Sequence, residues 1–316
     1  TGDKLSMLKP QFFKRLLMYT GILLLLLAEF TFALSTVFGK LVINKSDIGG
    51  IEITFVRFAI GTLAAGAYIL VTRKSFRPNN LRHVVLRAVF NVTAVMLFFA
   101  GLQRTTVTNA NMLNMTYPAF VFFVAPFING EKTRLRNVFY LIVTMAGVYL
   151  IVAPDFKSVN PGDILALLSG LVAGFGIPLL REARKYDSSE IIVFYLMLFG
   201  GLMSGMFLLG DCVLPRGMVT VYLVLSGVSA AAGQILITIG YRYIEAASGS
   251  LVSASRIVFA GVLGVLVFAD PFTVPIMTGA LLILVSLLGV GGLWERASVF
   301  FRGRRSGASR RRVPER

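Results

Sequence analysis

Two charged residues sit where an apolar chain tolerates charge least. Glu29 is the fourteenth residue of an apolar run that begins at Leu16, and Arg256 is the ninth of another that begins at Ser248. A charged side chain at the centre of a membrane helix costs about 2.5–3.5 kcal/mol on insertion scales, so it turns toward a bundle interior or an aqueous cavity. A carboxyl at that depth can take a proton or a cationic group, or it can neutralise a basic neighbour. A guanidinium there can pair with that carboxyl, or hold a substrate carboxylate or phosphate through its planar fork. Two polar stripes accompany the charges. Asn111, Asn114 and Pro118 follow at intervals of three and four, which places them on one helical face with Tyr117 beside it. Ser250, Ser253 and Arg256 form a second stripe at intervals of three. Asn amides carry donors and acceptors suited to a polar solute, or to bonding a neighbouring helix. Gln234 is a weaker addition. Glu29, Asn111, Asn114, Tyr117, Gln234, Ser253 and Arg256 are therefore the candidate lining of a substrate or proton pathway.

Other polar residues read as structural. Arg57 near the outer end of its apolar run is expected to snorkel to the interface, and Lys40 to be interfacial. Glu131 and Asp270 follow apolar runs and fit helix capping, loop pairing or gating better than substrate contact. The one histidine, His83, lies in a charge-rich stretch, so neither a His metal cluster nor Ser-His-Asp catalysis has its parts. The one cysteine, Cys212, cannot make an internal disulfide or a thiolate metal site. No phosphate-binding GxxxxGK[ST] segment occurs. No enzyme activity and no cofactor are expected.

The elements that carry these residues follow from composition. Of 316 residues, 56% are apolar and 15% charged, against roughly 45–50% and about 25% in a soluble domain. The bilayer is the expected solvent. Crossing about 30 Å of hydrocarbon takes about 20 apolar helical residues, and ten such segments are legible: Leu16–Leu41, Ile53–Val71, Val84–Leu102, Ala110–Ile128, Leu135–Ala153, Ile164–Leu180, Ile191–Leu209, Met218–Tyr241, Ser248–Ala269 and Phe272–Leu293. The first reads as an uncleaved helix, since it is longer than a signal-peptide core and contains Glu29.

The net charge of +16 sorts by side. With a cytoplasmic N-terminus, the inside segments hold 24 basic residues, Arg87 counted among them, and the outside segments hold 4. That bias predicts a multi-pass protein of a bacterial inner membrane with both termini cytoplasmic. The Arg-rich tail after Trp294 reads as an orientation anchor drawn to anionic headgroups, not as a nucleic-acid module.

An internal repeat organises the chain. A shift of 139 residues aligns Gly101 with Gly240, Phe120 with Phe259 and Glu131 with Asp270 without a gap, and a shift of 141 places Lys40 against Arg181. Two copies of five helices follow, and because five is odd the second enters the membrane from the opposite side. Such inverted repeats place a binding site at their interface and expose it alternately to each side. The expected division is a cytoplasmic segment 1–15, a first repeat 16–153, a second repeat 154–293 and a basic tail 294–316. The expected fold class is an all-α polytopic membrane protein with ten transmembrane helices.

This arrangement, with Gly130-Glu131 closing the fourth span, Asp270-Pro271 after the ninth, Tyr117-Pro118 within the fourth and Arg57 early in the second, resembles the EamA family of the drug/metabolite transporter superfamily over about residues 16–293. The resemblance implies a secondary transporter with a central cavity between repeats, moving amino acids, nucleotides, vitamins or related metabolites. Two positions depart from the family pattern: Arg256 stands where an apolar or small residue is usual, and Asp270 where Glu is. The expected partners are a small-molecule substrate, the lipid bilayer and a proton as coupling candidate. A multidrug or cationic-solute exporter of the same fold, and a channel or membrane scaffold, are the alternatives.

Overall fold

The computed structural model describes residues 2–105, 107–132, 135–152, 160–208, 215–268 and 274–290. The described elements are all helical: α1 (Gly2–Lys45), α2 (Gly50–Val71), α3 (Leu81–Leu102), α4 (Val107–Asn114), α5 (Tyr117–Asn129), α6 (Leu135–Val152), α7 (Pro161–Ala183), α8 (Ser189–Met206), α9 (Met218–Gly240), α10 (Ala246–Ser253), α11 (Ser255–Phe268) and α12 (Val274–Val290). Seven helical segments among the described residues are long and apolar enough to cross a membrane: Leu16–Lys45, Gly50–Val71, Leu81–Leu102, Pro161–Ala183, Ser189–Met206, Met218–Gly240 and Ala246–Phe268. Tyr117–Asn129, Leu135–Leu150 and Met277–Val290 are shorter apolar helices. Asp270, Pro271, Cys212 and the tail 294–316 lie outside the described residues.

Local chemistry sets several boundaries. Asn160 caps α7 by accepting from the Asp163 N–H at 3.1 Å, while the Asp163 carboxylate accepts from the Asn160 N–H, and Pro161 opens the helix where its missing donor costs nothing. Asn80 caps α3 in the same way, accepting from the His83 N–H. Gly130 ends α5 with φ of 66°, a left-handed turn open to glycine without strain.

The predicted fourth and ninth spans are each divided. Pro118 has no N–H for the Asn114 carbonyl and its ring crowds that group, and α4 accordingly ends at Asn114 while α5 starts at Tyr117. In the ninth span the chain turns at Ala254 without a proline; Ala254 N donates to Leu251 O and Ile257 N to Ala254 O, tightening the backbone there. The helices α4 and α10 begin and end at positions 139 residues apart, the shift of the sequence repeat.

Packing follows the same exchange. α1 packs on α9 and α3 on α7; α5 packs on α7 and α11 on α1; α2 packs on α9 and α3 on α8; α2 meets α8 and α6 meets α12. When α1–α6 are exchanged with α7–α12 in order, the first six contacts interchange in pairs and the last two map onto themselves. Small polar residues join the layers. Ser35 donates to the Ser226 carbonyl at 2.7 Å and Ser226 donates to the Ser35 carbonyl at 2.8 Å, while Thr144 and Ser286 link α6 to α12 at 2.7 Å. Large apolar side chains such as Leu63, Phe123, Phe127 and Leu266 face outward, as a surface solvated by lipid requires and a water-soluble one would not tolerate at this scale.

A candidate substrate cavity

The two charges singled out by the sequence meet. Arg256 Nε, at the start of α11, donates to Glu29 Oε2 of α1 at 2.6 Å, and the Glu29 side chain is fully buried. The Arg256 guanidinium also lies over the Phe32 ring, 4.7 Å from its centroid. The break at Ala254 aims Arg256 across at α1, which packs on both α9 and α11. Breaking such a desolvated pair by removing one member leaves an uncompensated charge.

Arg256 opens onto a cavity of about 880 Å³ of space between atoms, its open mouth included. Its wall is drawn from α1, α2, α3, the divided fourth and ninth spans, α7, α8 and α9, with Asn114, Tyr117, Gln234 and Arg256 among its polar residues. Phe32, Phe58, Phe98 and Phe99 supply apolar faces, a combination suited to a small solute held by a few placed polar groups. Of the sequence candidates, Glu29 reaches the cavity only through Arg256. Asn111 and Ser253 are fully buried behind the wall. Asn114 divides its roles, since its amide donates to Ser169 Oγ of α7 at 2.8 Å while the residue also lines the space.

Two arginines that the sequence reading placed elsewhere belong to the wall. Arg57 was expected to snorkel from an outer helix end; instead its guanidinium stacks 4.4 Å from the centroid of the Phe99 ring and lines the cavity. α2 begins at Gly50, so Arg57 lies about two turns inside, roughly 10 Å along the axis, and α3 offers an aromatic face nearer than the interface. Arg87 was counted with the cytoplasmic charges. It sits in α3 at 1% exposure, lines the same cavity, and its Nε has no hydrogen-bond partner among the described residues. Asn91, one turn further along α3, joins it on the wall. The signal was present: Arg87 and Asn91 are an i,i+4 polar pair inside an apolar span, as Asn111 and Asn114 are a stripe in theirs.

Lys40 is likewise drawn inward. Its ammonium donates to the carbonyls of Leu102 at 3.2 Å and Thr105 at 3.1 Å, satisfying the open C-terminal end of α3. Arg181, its counterpart under the 141-residue shift, donates to the Ile244 carbonyl. Of the capping, loop-pairing and gating roles open to Glu131, the structure shows capping of another helix: its two oxygens accept from the Ala246 and Ala247 N–H groups at 2.8 and 3.2 Å, at the N-terminus of α10, and Arg181 Nε pairs with it at 2.9 Å. Asp187 accepts from the Asn79 and Asn80 N–H groups at the same end of the bundle. Lys74, outside the spans, is held above its ordinary pKa by its hydrogen bond to Glu190. Among the described residues no group of His, Cys, Asp and Glu is placed to hold a metal ion.

Known proteins resemble the chain throughout. The model of the EamA-like transporter family matches twice, over residues 19–153 and 160–292. Mouse solute carrier family 35 member G1 is 25% identical over 287 residues, 85% of this chain and 77% of that one. The pseudopaline exporter CntI of Pseudomonas aeruginosa is 24% identical over 276 residues, 87% and 96% of the two chains. The riboflavin transporter of Rhizobium johnstonii is 24% identical over 233 residues, 72% and 76% of the two. A protein crystal structure with 17% identity superposes with a TM-score of 0.70 over 90% of this chain and 98% of that one, which shows a shared fold. Two tandem matches covering most of a multi-pass helical chain, and relatives named as transporters across bacteria and mammals, lead to one conclusion: this chain belongs to the EamA-like transporter family.

Proposed function

We propose that the protein is a secondary active transporter that moves a small polar metabolite, amino-acid-like, nucleotide-like or vitamin-like, across the bacterial inner membrane by alternating access. The observation that carries this reading is the cavity walled jointly by residues of 16–153 and 154–293, with polar and charged groups on an apolar ground. The exchange pattern of the helix contacts and the matched breaks in the fourth and ninth spans support two inverted five-helix repeats. In this scheme the solute binds at Asn114, Tyr117, Gln234 and Arg256, and the halves rock about it. Asn111 and Ser253 stand behind that wall. Glu29 is the coupling candidate, because a proton on its carboxylate would release Arg256 from the pair. With Arg87 taken out of the inside count, the bias of 23 basic residues to 4 supports cytoplasmic termini.

The relatives named for pseudopaline export and for riboflavin transport carry organic cargo, consistent with a metabolite here. Engagement of Glu29 by Arg256 weighs against the cationic-exporter alternative, since the carboxylate already has its counter-ion. The test is uptake and counterflow in proteoliposomes across anionic, zwitterionic and cationic metabolite classes. Saturable, trans-stimulated flux of one class is the expected result. Flux linear in concentration without counterflow would establish a channel, and no flux of any class would overturn transport.

A further inference from the structure

The cavity holds more positive charge than its own carboxylate can neutralise. Arg57, Arg87 and Arg256 all line it, and only Arg256 forms an ion pair among the described residues, with Glu29. A guanidinium does not shed its proton in a protein, so the walled space carries a net charge of two. Arg57 compensates in part by lying over Phe99. Arg87 is nearly fully buried, and its Nε lacks an acceptor among the described residues. Buried arginines are ordinarily paired and fully hydrogen-bonded, so an unpaired one on a cavity wall leaves its charge uncompensated until an anion enters. The Gln234 Nε2 on the same wall is also buried without a partner among the described residues. This wall carries surplus positive charge and, among its described lining residues, no carboxylate to neutralise a cationic group.

We infer that Arg57 and Arg87 form the binding locus for a solute bearing two negative charges, as a dicarboxylate or a phosphate monoester. Arg256 is occupied by Glu29 and is not the primary anchor. The inference rests on the transporter reading and narrows its substrate class. A dianion neutralises the walled space, and an arginine fork without a carboxylate partner can take a carboxylate or a phosphate in bidentate fashion. The phenylalanines accommodate a short carbon skeleton. Asn91 and Asn114 add directed polar contacts for the remainder of the solute. The phosphate of an anionic lipid shares this chemistry, and the experiment separates the two sources.

The test uses the full chain purified into nanodiscs of phosphatidylcholine alone and of phosphatidylcholine with phosphatidylglycerol. Thermal stability and equilibrium binding are measured with succinate, inorganic phosphate, uridine monophosphate, alanine and choline as probes. The expected result is saturable stabilisation by a dianionic probe in both membranes, with no effect of alanine or choline. In Arg57→Gln and in Arg87→Gln the dissociation constant rises about tenfold or more, whereas Arg87→Lys, which keeps charge but loses the fork, falls between. Without ligand, Arg87→Gln melts at or above the parent temperature, because a repulsive charge has been removed. A structural arginine would give a lower melting temperature. Saturable binding and flux of alanine alone would overturn the dianion assignment and leave transport standing. Dianion binding unchanged in both Gln variants would overturn the site. Stabilisation that follows phosphatidylglycerol and is insensitive to every soluble probe would assign the arginines to a lipid and overturn the solute assignment. Absence of flux for every class would instead remove the transporter reading.

Discussion

Replacing Glu29 by Gln removes one carboxylate from a pair whose Nε and Oε2 atoms are 2.6 Å apart and whose acidic member is fully buried. Two unit charges about 4 Å apart attract by about 4 kcal/mol at the effective dielectric of about 20 that suits protein sites. Removing one partner of a buried pair costs about 3–5 kcal/mol, because the survivor stays desolvated. Here the survivor is a guanidinium, which cannot neutralise itself, and the cavity would then hold three such groups. Arg256→Gln leaves a carboxyl, which can be neutralised by taking a proton, so its cost is smaller. The double variant Glu29→Gln/Arg256→Gln recovers much of the loss, since two amides can hydrogen-bond where the ions paired. In a detergent thermostability assay followed by fluorescence-detected size exclusion, Glu29→Gln should therefore melt roughly 5–10 °C below the parent. The order of melting temperatures should be parent, double variant, Arg256→Gln, then Glu29→Gln. A coupling free energy under about 0.5 kcal/mol, the level at which separate sites are additive, would refute the pairing argument.

Three further outcomes follow from individual contacts. Glu131→Gln loses the charge that receives two α10 N–H groups and Arg181, and should destabilise by about 1.5–3 kcal/mol, read as a melting shift that Arg181→Gln reproduces and the double variant does not deepen. A Cβ at Gly176 would stand 2.8 Å from the Arg87 Nη1 atom, so Gly176→Ala displaces the tip of a flexible side chain; stability should change by less than about 1 kcal/mol while affinity for the dianionic probe falls several-fold in a binding titration. Pro118→Ala restores a donor opposite the Asn114 carbonyl, which favours a continuous helix by up to about 3 kcal/mol; the variant should melt no lower than the parent but turn over more slowly in counterflow.

Seven of the ten expected spans appear among the described residues as helices long and apolar enough to cross a membrane, and these were legible because the bilayer enforces a simple rule, a long apolar run per crossing. The α2, α3 and α9 boundaries fall within a turn of the expected ones. Glu29 and Arg256 were legible for the complementary reason, since a lone charge deep in such a run has few places to go. Their mutual pairing was one of several options that only packing could decide. The division of the fourth span was foreshadowed by Pro118, whereas that of the ninth carries no proline and no comparable signal. Arg57 and Arg87 were misplaced because each lies within two turns of a span end, where snorkelling and burial compete. The choice was made by residues on other helices: the Phe99 face of α3 for Arg57, and the space beside Gly176 of α7 for Arg87. No periodicity within α2 or α3 records those neighbours.

The surplus of positive charge thus has two physical origins. Most basic residues lie outside the apolar runs of the sequence, where water and lipid headgroups can solvate them at little cost. Arg57, Arg87 and Arg256 are desolvated by the bundle, and their energy depends on what shares the space. Glu29 fixes that balance. By neutralising one arginine it lowers the cavity charge from three to two, and by binding Arg256 it leaves the other two forks for a ligand. A second acidic residue on the wall would have satisfied the arginines internally and made the cavity indifferent to anions. Among the described residues lining it there is none, which leaves that compensation to the dianion proposed above. A carrier needs that condition at its binding site: charges stable enough to be held in place by packing, yet incompletely satisfied until the solute is bound.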